Sequence, residues 1–241
     1  GEAPEDAFGA SAELAKGGRG TIFTKLGEAI TNRAEAAAVR DHYLWLFDQI
    51  KAKGLPGHVS AKPSQLGLDI EPGMCQAYTE ELAAKAQATG SFLWIDMEDS
   101  AYVDRTLALY RAVKAKYDGT GLAMQAYLFR TPKDLQDLMP LKPVIRLVKG
   151  AYAEAKHVAF PRKADTDRAF FELSDTMLKA AAAGNCLPII GTHDVALLGR
   201  IAARAKELGV KPGQFEIHML YGIKEREQQR LRAEGHTVKT L

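Results

Sequence analysis

Over 241 residues the chain is 46% hydrophobic and 26% charged, with 32 basic against 30 acidic residues and a formal net charge of +2. This is the composition of a globular protein with one large core or two small ones, and it excludes a chain dominated by disorder. Charges of both signs are mixed along the sequence with no basic motif, which argues against nucleic acid, and no apolar run reaches the roughly 18 residues of a membrane helix.

The acidic start GEAPEDAFGA has the character of neither a signal nor a transit peptide, and residues 1–18 read as an N-terminal extension. Strand candidates follow at 20–26, 57–62, 92–97, 122–128, 144–149, 187–192, 215–220 and 236–241, each a short β-rich run. Helical stretches lie between them. Asp99 or Ser100 opens AYVDRTLALYRAVKAKY, and Thr131, Pro132 and Asp134 form an N-cap, N1 and capping-box set before LQDLM. DRAFFELSDTMLKAAAAG ends at Gly184, a helix-stopping glycine, and Thr192 or Asp194 caps VALLGRIAARAKELG.

Strand and helix alternate strictly, so the expected architecture is parallel α/β. Eight strands favour a closed (βα)8 barrel of the TIM type over an open doubly wound sheet, although periodicity alone does not see closure. Without a 20–50-residue repeat or a low-complexity linker, residues 1–241 read as a single domain.

Chemistry in such barrels gathers where strands end. Lys62, Asp96, Gln125, Arg146, Thr192 and His193 all fall at those places. In VIRLVKGAY, residues 144–152, Arg146 shares a face with Val148, and Lys149 shares the other with Ile145 and Leu147. A guanidinium among branched aliphatics needs a carboxylate, an electron-rich ligand or water. Lys149 reads as an ordinary charge on the barrel exterior or a backbone-positioned bystander. Glu98 and Asp99 suit solvated or capping roles, whereas Asp96 sits inside an apolar run.

His42, His58, His157 and His236 read as structural or surface residues, and His193 has no second metal-spaced histidine. Cys75 and Cys186 stand outside any CxxC or metal-ligand spacing, which suits buried free thiols in a reducing compartment. The P-loop, GxGxxG, GxSxG and HExxH motifs are absent. Lys62 keeps a second enzyme class open, a barrel aldolase or isomerase that uses it as a Schiff-base lysine or base.

Taken in order, SAKPSQLGL, IDMED, MQAYLFRTPKDL, IRLVKGAYAE, GTHD and FEIHMLYGI carry a resemblance. From GRGTIFTKLGE to GHTVKTL the chain resembles the bacterial monofunctional proline dehydrogenases. The resemblance implies a distorted (βα)8 barrel holding FAD at the strand C-termini. It implies oxidation of L-proline to pyrroline-5-carboxylate, electron transfer to a membrane quinone, and a pyrroline-5-carboxylate dehydrogenase downstream. The corresponding location is cytoplasmic, with peripheral contact at the inner face of the membrane.

Residue by residue, Arg146 matches the arginine beside flavin N5 and Gln125 the residue beside the isoalloxazine ring. Val148, Gly150, Thr192 and His193 match further cofactor contacts. Lys62, Asp96, Tyr152 and Leu220 match the proline pocket, and Arg146, Lys62, Asp96 and Tyr152 form the expected catalytic set. His218 stands at a cofactor contact where many relatives have glutamine. The family continues into a final helix whose paired arginines clamp the proline carboxylate. This sequence stops on the eighth strand without that helix, so the expectation from sequence is retained flavin and weakened proline binding; a truncated flavin-binding form is the alternative reading.

Overall fold

Hydrophobic periodicity that switches between 2 and 3.6 residues makes the chain alternate strands with helices. The computed structural model describes residues 3–27 and 30–241; Gly1 and Glu2 of the N-terminal extension and Glu28 of GRGTIFTKLGE lie outside the described residues. In chain order the elements are α1 (Pro4–Lys16), β1 (Gly20–Thr24), α2 (Arg33–Ala52), β2 (Gly57–Ala61), α3 (Pro72–Thr89), β3 (Leu93–Ile95), α4 (Val103–Lys114) and β4 (Thr120–Gln125). There follow α5 (Thr131–Leu138), β5 (Val144–Val148), α6 (Lys163–Ala182), β6 (Leu187–Gly191), α7 (Val195–Glu207), β7 (Glu216–Met219), α8 (Glu225–Ala233) and β8 (Thr237–Thr240). The strands follow one another in sheet order and close into a barrel. The closed architecture expected from eight strands is therefore the one observed, and the open sheet is not.

Two compact units make up the chain, one of Gly1–Met97, Asp104–Gly121 and Leu241, the other of Glu98–Val103 and Leu122–Thr240. In the first unit β1, β2 and β3 pair in parallel. The N-terminal extension contains α1, whose Phe8 ring lies 5.7 Å from Phe23 and 6.0 Å from Trp45. Asn32 caps α2 by accepting from Glu35 N at 3.0 Å, and Glu35 accepts in return from Thr31 N at 2.8 Å. Helix α2 buries Val39, Tyr43, Leu46, Phe47 and Ile50, a stripe at helical spacing. His58 stacks on Phe92 at 5.3 Å and accepts from Trp94 Nε1, so it is structural, as its position suggested.

In the second unit β4 to β8 pair in parallel. Helix α6 buries Phe170, Leu173, Met177, Leu178 and Ala181 along one face, at roughly 2–3 kcal/mol for each large apolar side chain removed from water. It ends one residue before Ala183, and Gly184 takes φ +72°, a left-handed turn that glycine adopts without Cβ strain. Asp194 caps α7 by accepting from Leu197 N at 3.1 Å, which decides between the two capping candidates there.

Two sequence expectations are corrected in this unit. The run at 122–128 is not all strand: β4 covers Thr120–Gln125, and its apolar continuation is buried in a loop layer instead, where Leu128 makes an antiparallel bridge to Ala159. Thr131 does not cap α5. The N-cap residue is Arg130, Thr131 lies in the first turn, and its hydroxyl is drawn away to donate to the Gln125 carbonyl at 2.6 Å. Asp134 meanwhile takes the Arg130 guanidinium through both oxygens, at 2.6 and 3.2 Å.

Candidate active site

Lys149 settles which face of β5 looks where. Its ammonium lies 2.5 Å from Asp167 on α6 and 2.9 Å from Asp194 at the start of α7, so the Ile145–Leu147–Lys149 face is turned toward the helices. Arg146 and Val148 therefore point the other way. Arg146 is only 3% exposed.

Parallel register places partners beside it on that inward face. Ala123, Arg146, Ile189, Glu216 and Thr237 form one tier, and Gln125, Val148, Gly191, His218 and Lys239 form the next toward the strand C-termini. Gln125 is 3% exposed and donates Nε2 to the Glu98 carbonyl at 2.9 Å. Gly191 opens the second tier, because a Cβ there would stand 2.9 Å from Val148 Cγ1 and 3.0 Å from the Leu147 carbonyl oxygen. A side chain would fill this cradle; its absence lets a flat group approach the strand backbone.

Three ionisable residues on β7 and β8 were not singled out together from sequence. Glu216 Oε2 accepts from Lys239 Nζ at 2.6 Å and from His218 Nε2 at 3.1 Å. His218 is 2% exposed, and burial pushes its imidazole down to about 4; Arg146 and Lys239 act in the same direction against Glu216. Burial alone would raise the Glu216 carboxyl, but the His218 hydrogen bond and the Lys239 charge outweigh it and bring it to about 2. At neutral pH the contact is thus a hydrogen bond from a neutral imidazole to a carboxylate, with the proton on Nε2. Arg146 and Lys239 thus share this face with the Glu216 carboxylate and a neutral imidazole, a polar floor suited to a planar ring that takes up electron density. The signal was present in FEIHML, where Glu216 and His218 alternate at period 2.

Farther along the same unit, His193 Nε2 accepts from Leu220 N at 2.8 Å, which places the proton of the neutral ring on Nδ1. Burial and the Lys224 charge hold His193 below its ordinary 6.5. Thr192 is buried and its hydroxyl accepts from Asp194 N at 3.2 Å. Leu220 is 51% exposed, and with Tyr221 and Ile223 it makes an apolar loop after β7. Gly150 has φ +127°, and a Cβ there would lie 2.5 Å from the Tyr127 ring, so only glycine allows the chain to turn under that tyrosine toward Tyr152.

In the first unit Lys62 and Asp96 each stand one residue beyond the ends of neighbouring strands, β2 and β3. Asp96 thus lies just past the strand rather than within it, where Ser60 Oγ donates to its Oδ1 at 2.8 Å and its own N donates to the Ala61 carbonyl. Below them Tyr43 OH accepts from Lys25 N at 3.0 Å; burial pushes this phenol up to about 12, with the Asp96 charge adding to it. Gln65 donates to the Lys25 carbonyl at 3.1 Å and to the Gly27 carbonyl, completing a polar bracket that sequence reasoning missed. Among the described residues no helix is long and apolar enough to cross a membrane, and no group of three or more His, Cys, Asp or Glu is arranged to hold a metal ion.

Known proteins share this chain's features. The family model described as proline dehydrogenase matches residues 7–240. Proline dehydrogenase 2 of Bacillus subtilis subsp. natto is 33% identical over 230 residues, covering 95% of this chain and 74% of that protein. Proline dehydrogenase of Deinococcus radiodurans is 34% identical over 246 residues, covering 99% of this chain and 77% of that one. Among solved structures, proline utilization A (PutA) of Bdellovibrio bacteriovorus, inactivated by N-propargylglycine, matches with a TM-score of 0.90 at 21% identity. That match covers 99% of this chain and 29% of the other, and at this identity it is a likeness of fold. The chain spans about three quarters of the length of the curated relatives and under a third of that PutA chain.

Proposed function

The chain belongs to the proline dehydrogenase family, and from that premise we propose that it binds FAD on the inward face of β4 to β8 and oxidises L-proline to pyrroline-5-carboxylate. The observation that carries the reading is Arg146, a guanidinium buried on the face turned away from the helices, in the tier next to a glycine-made cradle. Gln125, Arg146, Val148, Gly150, Thr192, His193 and His218 would hold the cofactor. When bound, the flavin supplies the two-electron acceptor for the hydride that leaves proline C5.

The residues of this chain provide the rest. A fixed guanidinium at Arg146 favours electron density arriving next to it without having to reorganise during the reaction. Gln125, held by the Glu98 carbonyl, adds an oriented amide. Tyr152 and Leu220 act as walls that position proline, whose nitrogen must be unprotonated for the C5–N double bond to form as hydride departs. By the family resemblance Lys62 is the residue that would meet the proline carboxylate, and Asp96, which accepts from Ser60 Oγ, a further proline contact. Electrons then pass to a quinone, and a pyrroline-5-carboxylate dehydrogenase consumes the product. Family membership also decides between the enzyme classes that a lysine after β2 left open, and it does not favour an aldolase.

The test is direct. Protein purified with flavin is expected to be yellow and to bleach when L-proline is added without oxygen; colour that persists at saturating proline rejects the reading. Lys62→Met is expected to weaken proline binding about 10- to 100-fold, the worth of one charge-assisted contact, with flavin content unchanged. Proline titrations and flavin absorbance on the same samples check this, and equal loss of both would make Lys62 a structural residue.

A further inference from the structure

Tyr152 lies on the segment between β5 and α6, and the described hydrogen bonds tie that segment down in three places. At its start, Ala126 N donates to the Val148 carbonyl at 2.8 Å and Tyr127 N to the Lys149 carbonyl at 3.0 Å. At its far side, Phe129 N donates to the Val158 carbonyl at 3.0 Å and Phe160 N to the Tyr127 carbonyl at 2.8 Å. Between these anchors Glu154 makes a further tether. One carboxylate oxygen accepts from Ser100 N and the other from Ser100 Oγ, both at 2.7 Å.

Ser100 is a firm mooring. Asp99 caps the turn that contains it, accepting from Ala101 N at 2.9 Å through its side chain and from Tyr102 N at 3.0 Å through its carbonyl. Two residues earlier the Glu98 carbonyl holds Gln125. A single short stretch, 98–100, therefore fixes Gln125 at one end and the Tyr152 segment at the other. Tyr127 lies under the same segment: burial raises its phenol and the charges of Glu154 and Asp99 add to it, against a hydrogen bond with the Tyr152 backbone that lowers it.

We propose that Glu154 is a positioning residue, a latch onto Ser100 that holds Tyr152 in register with Gln125. The proposal rests on the reading of Tyr152 as a substrate wall and Gln125 as a cofactor contact. Neither Glu154 nor Ser100 needs to touch substrate. A carboxylate with both oxygens engaged by one residue is a stiff link between segments 54 positions apart, whereas the stretch from Gly150 to Ala153 has no regular secondary structure of its own.

Amide exchange and steady-state kinetics on the flavin-loaded protein test this together. Glu154→Ala is expected to speed exchange across 150–155 and at Ser100 by about 10- to 100-fold, the equivalent of losing two charge-assisted hydrogen bonds in part. KM for proline should rise about tenfold or more, with kcat changed less than about threefold and the flavin spectrum unaltered. Glu154→Gln should recover most of this, because its amide oxygen still accepts from Ser100 N. Ser100→Ala, which loses only the hydroxyl arm, should move exchange and KM in the same direction by less, and it supplies the answer if Glu154→Ala does not fold. Unchanged exchange in the folded variants overturns the latch, as does a kcat loss at constant KM. If the unmodified protein does not oxidise proline, the functional reading fails, while exchange still decides whether the latch exists.

Discussion

Arg146→Met is expected to slow proline-dependent bleaching of the flavin about 10²- to 10³-fold in stopped-flow, with the fold retained. The size follows from what the guanidinium supplies. It is 3% exposed, and beside it on the same inward face lie a carboxylate already committed to Lys239 and an imidazole kept neutral by burial. Removing a fixed positive charge from such a site removes stabilisation of electron density that no water can replace. Methionine preserves length and apolar packing, so circular dichroism and flavin content should change little while the rate falls. An unchanged reduction rate would take Arg146 out of the chemistry and leave it a structural cation.

Glu216→Ala is expected to destabilise the protein by about 3–5 kcal/mol, the cost of breaking a buried ion pair by removing one partner. Lys239 would keep its ammonium in a largely buried position and His218 would lose the acceptor that fixes its proton on Nε2. The double variant Glu216→Ala, Lys239→Met should recover much of the loss, since two apolar groups leave no charge uncompensated. Urea unfolding of the three proteins checks both statements, and a single variant as stable as the parent would mean the pair is dispensable.

The same cluster sets an acid limit. His218 stands at about 4 in the folded protein against an ordinary 6.5, and Glu216 at about 2 against 4.5. In both cases the unfolded chain takes up its proton first, so stability falls as pH falls. It should be level above about pH 6.5, decline toward pH 4 through His218, and decline further from pH 4.5 toward 2 through Glu216. In His218→Gln the first part of that decline should become shallower, leaving the share of His42, His193 and His236, which burial also holds below 6.5; a profile with the same slope between pH 6.5 and 4 would take His218 out of it.

Much of this was legible in the sequence, and for local reasons. Strand and helix periodicities, turn glycines such as Gly184 and the cap at Asp194 are written in neighbouring residues, so eight strands could be placed to within a few positions. The motif order led to the family, and a lone guanidinium in VIRLVK marked β5 as a place of chemistry. Errors fell where a distant group intervened: the carbonyl of Gln125 draws the Thr131 hydroxyl away from capping, and Ala159 turns the end of an apolar run into loop rather than strand.

Period 2 states that Arg146 and Lys149 lie on opposite faces, but it does not say which face is inside. Only the ion pairs of Lys149 with Asp167 and Asp194 decide that, and they join three separate elements. Likewise, nothing local announces that Glu216 will meet Lys239, or that Glu154 will reach Ser100. The first contact is made by parallel strand register and the second by the packing of two loops. Sequence determines which charges must find partners, because burying them alone is costly, and tertiary structure decides which partners they find, because that depends on distances set by the closed sheet.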